Sequence, residues 1–123
     1  MSTKLAVAVS LAVGILLATA TVAPAAATPA SNTCAPPRTV CLWDQSGYAG
    51  ELFTVQAVDP VAGACVSLAQ HLWGDGRAKS ARNTGSQVAR LYTTDDCTGT
   101  AYQIVPGGTY SSINFSSNSI YVY

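Results

Sequence analysis

The chain has little charge, and what it has is balanced: six Lys and Arg stand against six Asp and Glu. It carries no basic stripe, which excludes the phosphate neutralisation that nucleic-acid binding needs, and no acidic or basic tail. Histidine is nearly absent. The single copy, His71 in QHLWGDG, has no nucleophile elbow or comparable context around it, so it reads as a loop residue and no catalytic residue is assigned. Neither C-x-x-C nor H-x-x-x-H occurs, which argues against a zinc site. Asp95 and Asp96 are adjacent carboxylates, but they fall in a turn, where such residues normally sit in water, and paired glycosidase carboxylates need a cleft. A sustained helical apolar period is also missing from residue 28 onward; VSLAQHLW allows about one turn.

One long hydrophobic run is present, at the start. MSTK supplies a positive charge, LAVAVSLAVGILLATATVA is apolar or small, and an A-x-A pattern ends at Ala27. These are the parts of a secretory signal peptide, residues 1–27. The rival is an uncleaved membrane anchor, since a span needs about 20 residues; the small distal residues and the lack of a basic stop-transfer cluster favour export. A short N-terminal segment, 28–37, then leads into one small domain, 38–123. All four cysteines, Cys34, Cys41, Cys65 and Cys97, lie in the exported part. An even count in a small secreted domain reads as two disulfides, with three connectivities open.

The exported part has strand-like patterning. RTVCLWD, ELFTVQAV, QVARLYTT, TAYQIV and SIYVY are short, rich in β-branched and aromatic residues, and bounded by Gly, Pro, Asp or Ser. In ELFTVQAV, Leu52, Thr54, Gln56 and Val58 face opposite to Phe53, Val55 and Ala57. The expected class is all-β, a two-sheet sandwich. A repeat supports it: VCLWDQSGYAGELFTV and ARLYTTDDCTGTAYQI share apolar-x-Leu-aromatic, then Tyr48 or Cys97, one residue, and Gly50 or Gly99. Each copy ends in a serine-rich segment, RAKSARN or SSNSIYVY. Two such units suggest two Greek keys, at about 38–84 and 85–123, packed face to face.

The spacing aromatic, four residues, aromatic, one residue, glycine resembles the βγ-crystallin Greek key. Trp43, Tyr48 and Gly50 fit it fully; Tyr92 and Gly99 fit in part, with Cys97 replacing the second aromatic. The resemblance implies a βγ-crystallin-like sandwich in which the rings and glycine are fold devices. The order of motifs (a cysteine pair before C-L-aromatic, a later C-x-x-L, D-x-R-x-x-S, then an L-Y…C-x-G hairpin) further resembles the secreted bacterial family of the Streptomyces metalloproteinase inhibitor. That likeness implies links Cys34–Cys41 and Cys65–Cys97. It also implies a non-catalytic, secreted monomer without cofactor, whose partner is an extracellular peptidase, expected to be a metallopeptidase, engaged by a rigid tethered loop. The founding inhibitor bounds its reactive loop by a disulfide in the second half, where this chain has only Cys97. The candidates are therefore CAPPRTVC and the region around Cys65, with Arg38 and Val66 as the positions to probe.

Many βγ-crystallins bind calcium through two Asn/Asp, two variable residues, Ser/Thr and Ser. Calcium needs six to eight oxygens. From Asp75 to Ser80, Gly76 offers no side-chain oxygen and Lys79 puts a cation in a ligand's place; from Asn114 to Ser119, Phe115 breaks the pattern. The expectation is no metal, with Ser80 and Ser119 bonded to turn backbone. Trp73 in LWGDGR reads as a plug for the sandwich core in preference to a partner anchor. An alternative function is a binding module for cell wall, glycan or a competitor's surface, with Tyr102, Tyr110, Tyr121 and Tyr123 stacking on sugars; cross-strand pairing is the plainer account of those rings. A structural extracellular protein is the third reading.

Overall fold

The computed structural model describes residues 32–123, so the expected signal peptide lies outside the described residues. Eight strands form: β1 Val40–Gln45, β2 Ala49–Val55, β3 Ala64–Ser67, β4 Ser80–Asn83, β5 Ala89–Tyr92, β6 Ala101–Ile104, β7 Thr109–Tyr110 and β8 Ser119–Val122. One 3-10 turn, Ala69–His71, follows β3. The strands make two antiparallel sheets ordered β2-β1-β4-β7 and β3-β8-β5-β6. Each half of the chain thus lends its third strand to the other half's sheet: β3 pairs with β8, and β7 with β4. Neither half closes a sheet alone.

The alternation in β2 holds. Val55 and Ala57 are buried and Phe53 packs on the core, while Thr54 and Gln56 point outward. Between the sheets lie Val40, Leu42, Leu68, Leu91, Ile104, Ile120 and Val122 among others. β1 is buried on both faces. Val40 and Leu42 enter the core; Cys41 and Trp43, pointing the other way, are equally inaccessible. Cys41 is covered by its disulfide to Cys34, and Trp43 lies under Tyr48, ring centroids 5.4 Å apart and edge to face.

The hairpin that carries Tyr48 is held down by one hydroxyl. Ser80 Oγ accepts the Tyr48 N–H at 3.0 Å and donates to the Gln45 carbonyl at 2.6 Å. The second half repeats this: Ser119 Oγ accepts the Cys97 N–H at 3.0 Å and donates to the Thr94 carbonyl at 2.5 Å. Tyr48 and Cys97 sit at equivalent positions with φ of +59° and +60°. Both are non-glycine residues in the left-handed region, a conformation costing about 1 kcal/mol or more that the clamp must offset.

Gly50 has φ +82°, and a Cβ there would fall on Asp44 Oδ1, the atom that accepts the Glu51 N–H at 2.8 Å. Gly99 has no left-handed φ; its constraint is contact, since a Cβ would strike Thr93 Oγ1 and the Thr94 backbone. Gly50→Val is therefore expected to cost more than about 1 kcal/mol, from strain and the displaced Asp44 together. Gly99→Ala should also destabilise, by collision alone. Thermal unfolding of the two variants checks this; an unchanged Tm for Gly50→Val would contradict the hairpin geometry.

Candidate functional site

The hairpin pole of the sandwich is cross-linked by backbone and side-chain hydrogen bonds. The segments 74–79 and 113–118 meet there, joined by Ile113 N–H to the Lys79 carbonyl at 2.7 Å and Gly76 N–H to the Ser117 carbonyl at 3.2 Å. Asn118 stitches the seam. Its Oδ1 accepts the Asp75 N–H at 2.9 Å, its Nδ2 donates to the Thr93 carbonyl at 2.8 Å, and its own N–H reaches the Tyr92 carbonyl at 2.8 Å.

These are the segments that held the calcium candidates. Several of the candidate ligands are engaged in other contacts. The hydroxyls of Ser80 and Ser119 are used by the hairpin clamps. Phe115 stacks on Tyr102 at 5.5 Å. Asp75 is exposed and held at φ +56°, Asn114 is exposed, and Asn118 spends both ends of its amide on backbone. Among the described residues no three His, Cys, Asp or Glu side chains gather into a metal-holding group.

His71 is exposed, with Nδ1 at 2.8 Å from the Ser67 carbonyl and its ring 5.6 Å from that of Phe53. Trp73 is buried, tilted against Phe53 at 5.3 Å and covered by the Arg77 guanidinium 4.3 Å from its ring centre. Arg77 also reaches Glu51 at 2.6 Å and Asp44 at 3.5 Å. Trp73 is thus core, roofed by a cation. The tyrosines pack on one another: Tyr102 with Tyr110 at 5.9 Å and Tyr121 with Tyr123 at 5.2 Å, both edge to face. Asp96 accepts the Thr98 hydroxyl at 2.5 Å, and hydrogen bonds from Thr98 and then Thr94 hold its carboxyl below the usual carboxylate range. Asp96 is engaged within its own turn.

The opposite pole has its ordered loops free. Cys34 and Cys41 are joined, seven residues apart, and Ala35, Pro36, Pro37 and Arg38 between them are all exposed. The loop is pinned from outside. Thr84 Oγ1 donates to the Pro36 carbonyl at 2.7 Å, Gln56 Nε2 to the Pro37 carbonyl at 3.3 Å, and Thr39 Oγ1 to the same Pro37 carbonyl at 3.0 Å. Beneath, Thr84 Oγ1 receives the Thr39 N–H at 3.0 Å. Arg38 stands at the tip with φ +51°, in a position where glycine would be cheaper. This also explains why β1 begins at Val40, two residues later than the apolar run suggested: the turn ends there. Thr84 and Gln56 carried no sequence signal for this task, because their partners are distant in the chain.

Val66 has a different setting. It lies in β3, paired with Ile120 and half-buried against the core. Of the two probed positions, Arg38 lies in an exposed disulfide-closed loop and Val66 in the edge strand β3. Cys65 joins Cys97 and ties β3 to the second hairpin.

Beside the disulfide loop runs the β2–β3 connection. Asp59 Oδ1 accepts the N–H groups of Val61 at 2.8 Å and Ala62 at 3.2 Å, and the Asp59 carbonyl accepts the Gly63 N–H at 2.9 Å. Those backbone bonds, Val61 first, hold the Asp59 carboxyl below the ordinary carboxylate value. A depressed folded-state value means the brace is intact above the unfolded-state pKa and is lost as pH falls through the lower folded value.

Residues 27–104 match peptidase inhibitor family I36. No curated protein matches the chain. Among solved structures, a βγ-crystallin from Ciona intestinalis is 15% identical with a TM-score of 0.56, the match covering 69% of this chain and 99% of that one. A βγ-crystallin domain from Flavobacterium johnsoniae is 21% identical, TM-score 0.55, over 68% of this chain and 92% of that one. Another from Clostridium beijerinckii is 16% identical, TM-score 0.54, over 69% and 97%. At these identities the likeness establishes the βγ-crystallin fold. The fold and the family agree with the resemblance read from the motifs.

Two outcomes follow. Millimolar calcium is expected to move the Tm by no more than a few degrees, since the Ser80 and Ser119 hydroxyls are already bonded to backbone and Phe115 is packed on Tyr102; a rise of ten degrees would show a site built from other oxygens. The amide resonances of Val61 and Ala62 are expected to titrate together in NMR with a midpoint below the ordinary Asp value. Asp59→Ala should abolish that titration.

Proposed function

The chain belongs to peptidase inhibitor family I36, and from that premise we propose that it is an extracellular, non-catalytic inhibitor of a metallopeptidase. It engages the enzyme through the Cys34–Cys41 loop. The observation that carries this reading is the loop itself: four consecutive exposed residues closed by a disulfide, with two successive carbonyls fixed by Thr84 and Gln56 from neighbouring strands' ends. A loop already ordered in the free protein loses little conformational freedom on binding, and that saving appears directly as affinity. Arg38 supplies a projecting cation at the tip. Two disulfides suit an oxidising, extracellular setting. None of the described helices is long and apolar enough to cross a membrane.

Inhibition of this kind uses shape and backbone hydrogen bonds, with no proton transfer from the inhibitor. His71→Ala is therefore expected to leave inhibition unchanged. Replacing Cys34 and Cys41 by Ser should weaken inhibition by tenfold or more, with a loss of stability of roughly 2.5 kcal/mol for the short loop. Replacing Cys65 and Cys97 should cost more stability, roughly 4 kcal/mol by the same chain-entropy estimate, and affect inhibition only through unfolding. Inhibition constants against a panel of metallo-, serine and cysteine peptidases, measured beside melting curves, separate these. A wild-type protein that inhibits none of them at micromolar concentration would overturn the reading.

A further inference from the structure

The β2–β3 connection presents two large apolar side chains to water. Val58 is fully exposed and Val61 is 88% exposed. Single exposed valines are ordinary, but these two stand three residues apart on one turn held in a fixed shape. Asp59 closes the turn through Val61 and Ala62. Tyr121 Oη donates to the Ala62 carbonyl at 2.6 Å. Gly63 seats the turn's exit so closely on the last strand that a Cβ would collide with Tyr121 and the Val122 carbonyl. Pro60 stiffens the middle. A turn serving only to reverse the chain needs neither valine; both could be polar without touching the core.

Position matters as much as exposure. Val40 pairs with Val55, so the disulfide loop before β1 and the turn after β2 leave the sandwich at the same pole. Gln56 Nε2 bonds the Pro37 carbonyl at 3.3 Å, directly linking the two. The pole therefore offers two adjacent prongs, one cationic at Arg38 and one aliphatic at Val58 and Val61. Both are exposed and braced by hydrogen bonds.

We propose that the Val58–Val61 turn is a second contact element of the inhibitory surface, and that it selects a peptidase whose specificity pocket accepts a branched aliphatic side chain. This rests on the inhibitor reading and deepens it. Desolvating a valine held in one conformation in an aliphatic pocket favours binding by roughly tenfold or more. The same side chain presented to an acidic pocket is rejected, because it leaves the pocket's carboxylate unpaired. The aliphatic turn thus sets enzyme class, and Arg38 contributes at its edge.

The test uses full-length exported protein against thermolysin, whose primary pocket takes branched aliphatic residues, and trypsin, whose pocket takes a cation. Wild type is expected to inhibit thermolysin and spare trypsin. The double variant Val58→Asp with Val61→Asp should raise the thermolysin inhibition constant at least thirtyfold at unchanged Tm, and Arg38→Ala should raise it less. The near-isosteric pair Val58→Thr with Val61→Thr keeps the turn's backbone preferences and should still weaken inhibition severalfold, which guards against misfolding of the charged variant. If wild type and both double variants inhibit thermolysin equally, the valines lie outside the interface and this inference falls while the inhibitor reading stands. If wild type inhibits trypsin alone, Arg38 sets the class and the inference likewise falls. Inhibition of no peptidase in a panel would remove both.

Discussion

Two serine hydroxyls hold the architecture together. Ser80 and Ser119 each bridge a backbone N–H and a carbonyl across a folded hairpin, accepting from one and donating to the other. Both are wholly buried, so removing either would leave a donor and an acceptor unsatisfied inside the protein, which is costlier than the bond's net worth. The clamp keeps Tyr48 and Cys97 in left-handed backbone, which lets the hairpin fold back over its own strand. That in turn buries Trp43 on the outer face of β1 and leaves Val40 and Leu42 for the inner face. A small domain gains a second apolar layer in this way, without a third sheet.

The two halves solve the same problem with different chemistry. In the first, Tyr48 covers Trp43 by ring contact, and Arg82 lies 4.1 Å from the Tyr48 ring centre. In the second, Cys97 occupies the equivalent position, and a covalent bond to Cys65 replaces ring packing. Because β3 belongs to the first half but pairs in the second sheet, that bond fastens the exchanged strand to the hairpin beside it. Strand exchange alone makes each sheet depend on both halves; the disulfide adds a link that does not rely on sheet pairing.

Much of the fold was legible because its devices are local. The aromatic-to-glycine spacing of Trp43, Tyr48 and Gly50 lies within eight residues, and the alternation in ELFTVQAV sets Val55 and Ala57 on one face and Val58 on the other without any tertiary knowledge. The third strands were not legible. β7 has two residues, and β3 has four that are mostly half-exposed, so neither carries an alternating signal; both exist because a distant edge, β4 or β8, offers backbone partners. Val66 read as a position beside a tethering cysteine, and the strand that contains it, paired with β8, was not foreseen. Arg38 was locatable because cysteines bracket it, whereas Thr84 and Gln56, which fix its loop, act across 48 and 19 residues. Of the aliphatic turn, the strand pattern set Val58 on the face opposite Val55, but the Asp59 brace to Val61 and Ala62 is a matter of three-dimensional geometry.

The distribution of hydrogen bonds divides the molecule by role. At the hairpin pole, several polar side chains bond to the chain itself. Asn118 spends both ends of its amide there, Arg77 spans two carboxylates and a backbone carbonyl, and the Ser80 and Ser119 hydroxyls are fully used. At the other pole the polar side chains support from below. Thr84, Gln56, Asp59 and Tyr121 all bond to the backbone of loops whose tips project into water. Pro36, Pro37, Val58 and Val61 are exposed on loops that these bonds hold in place. Rigid backbone beneath apolar tips suits a surface that meets another protein's cleft, where order already present in the free state need not be acquired on contact.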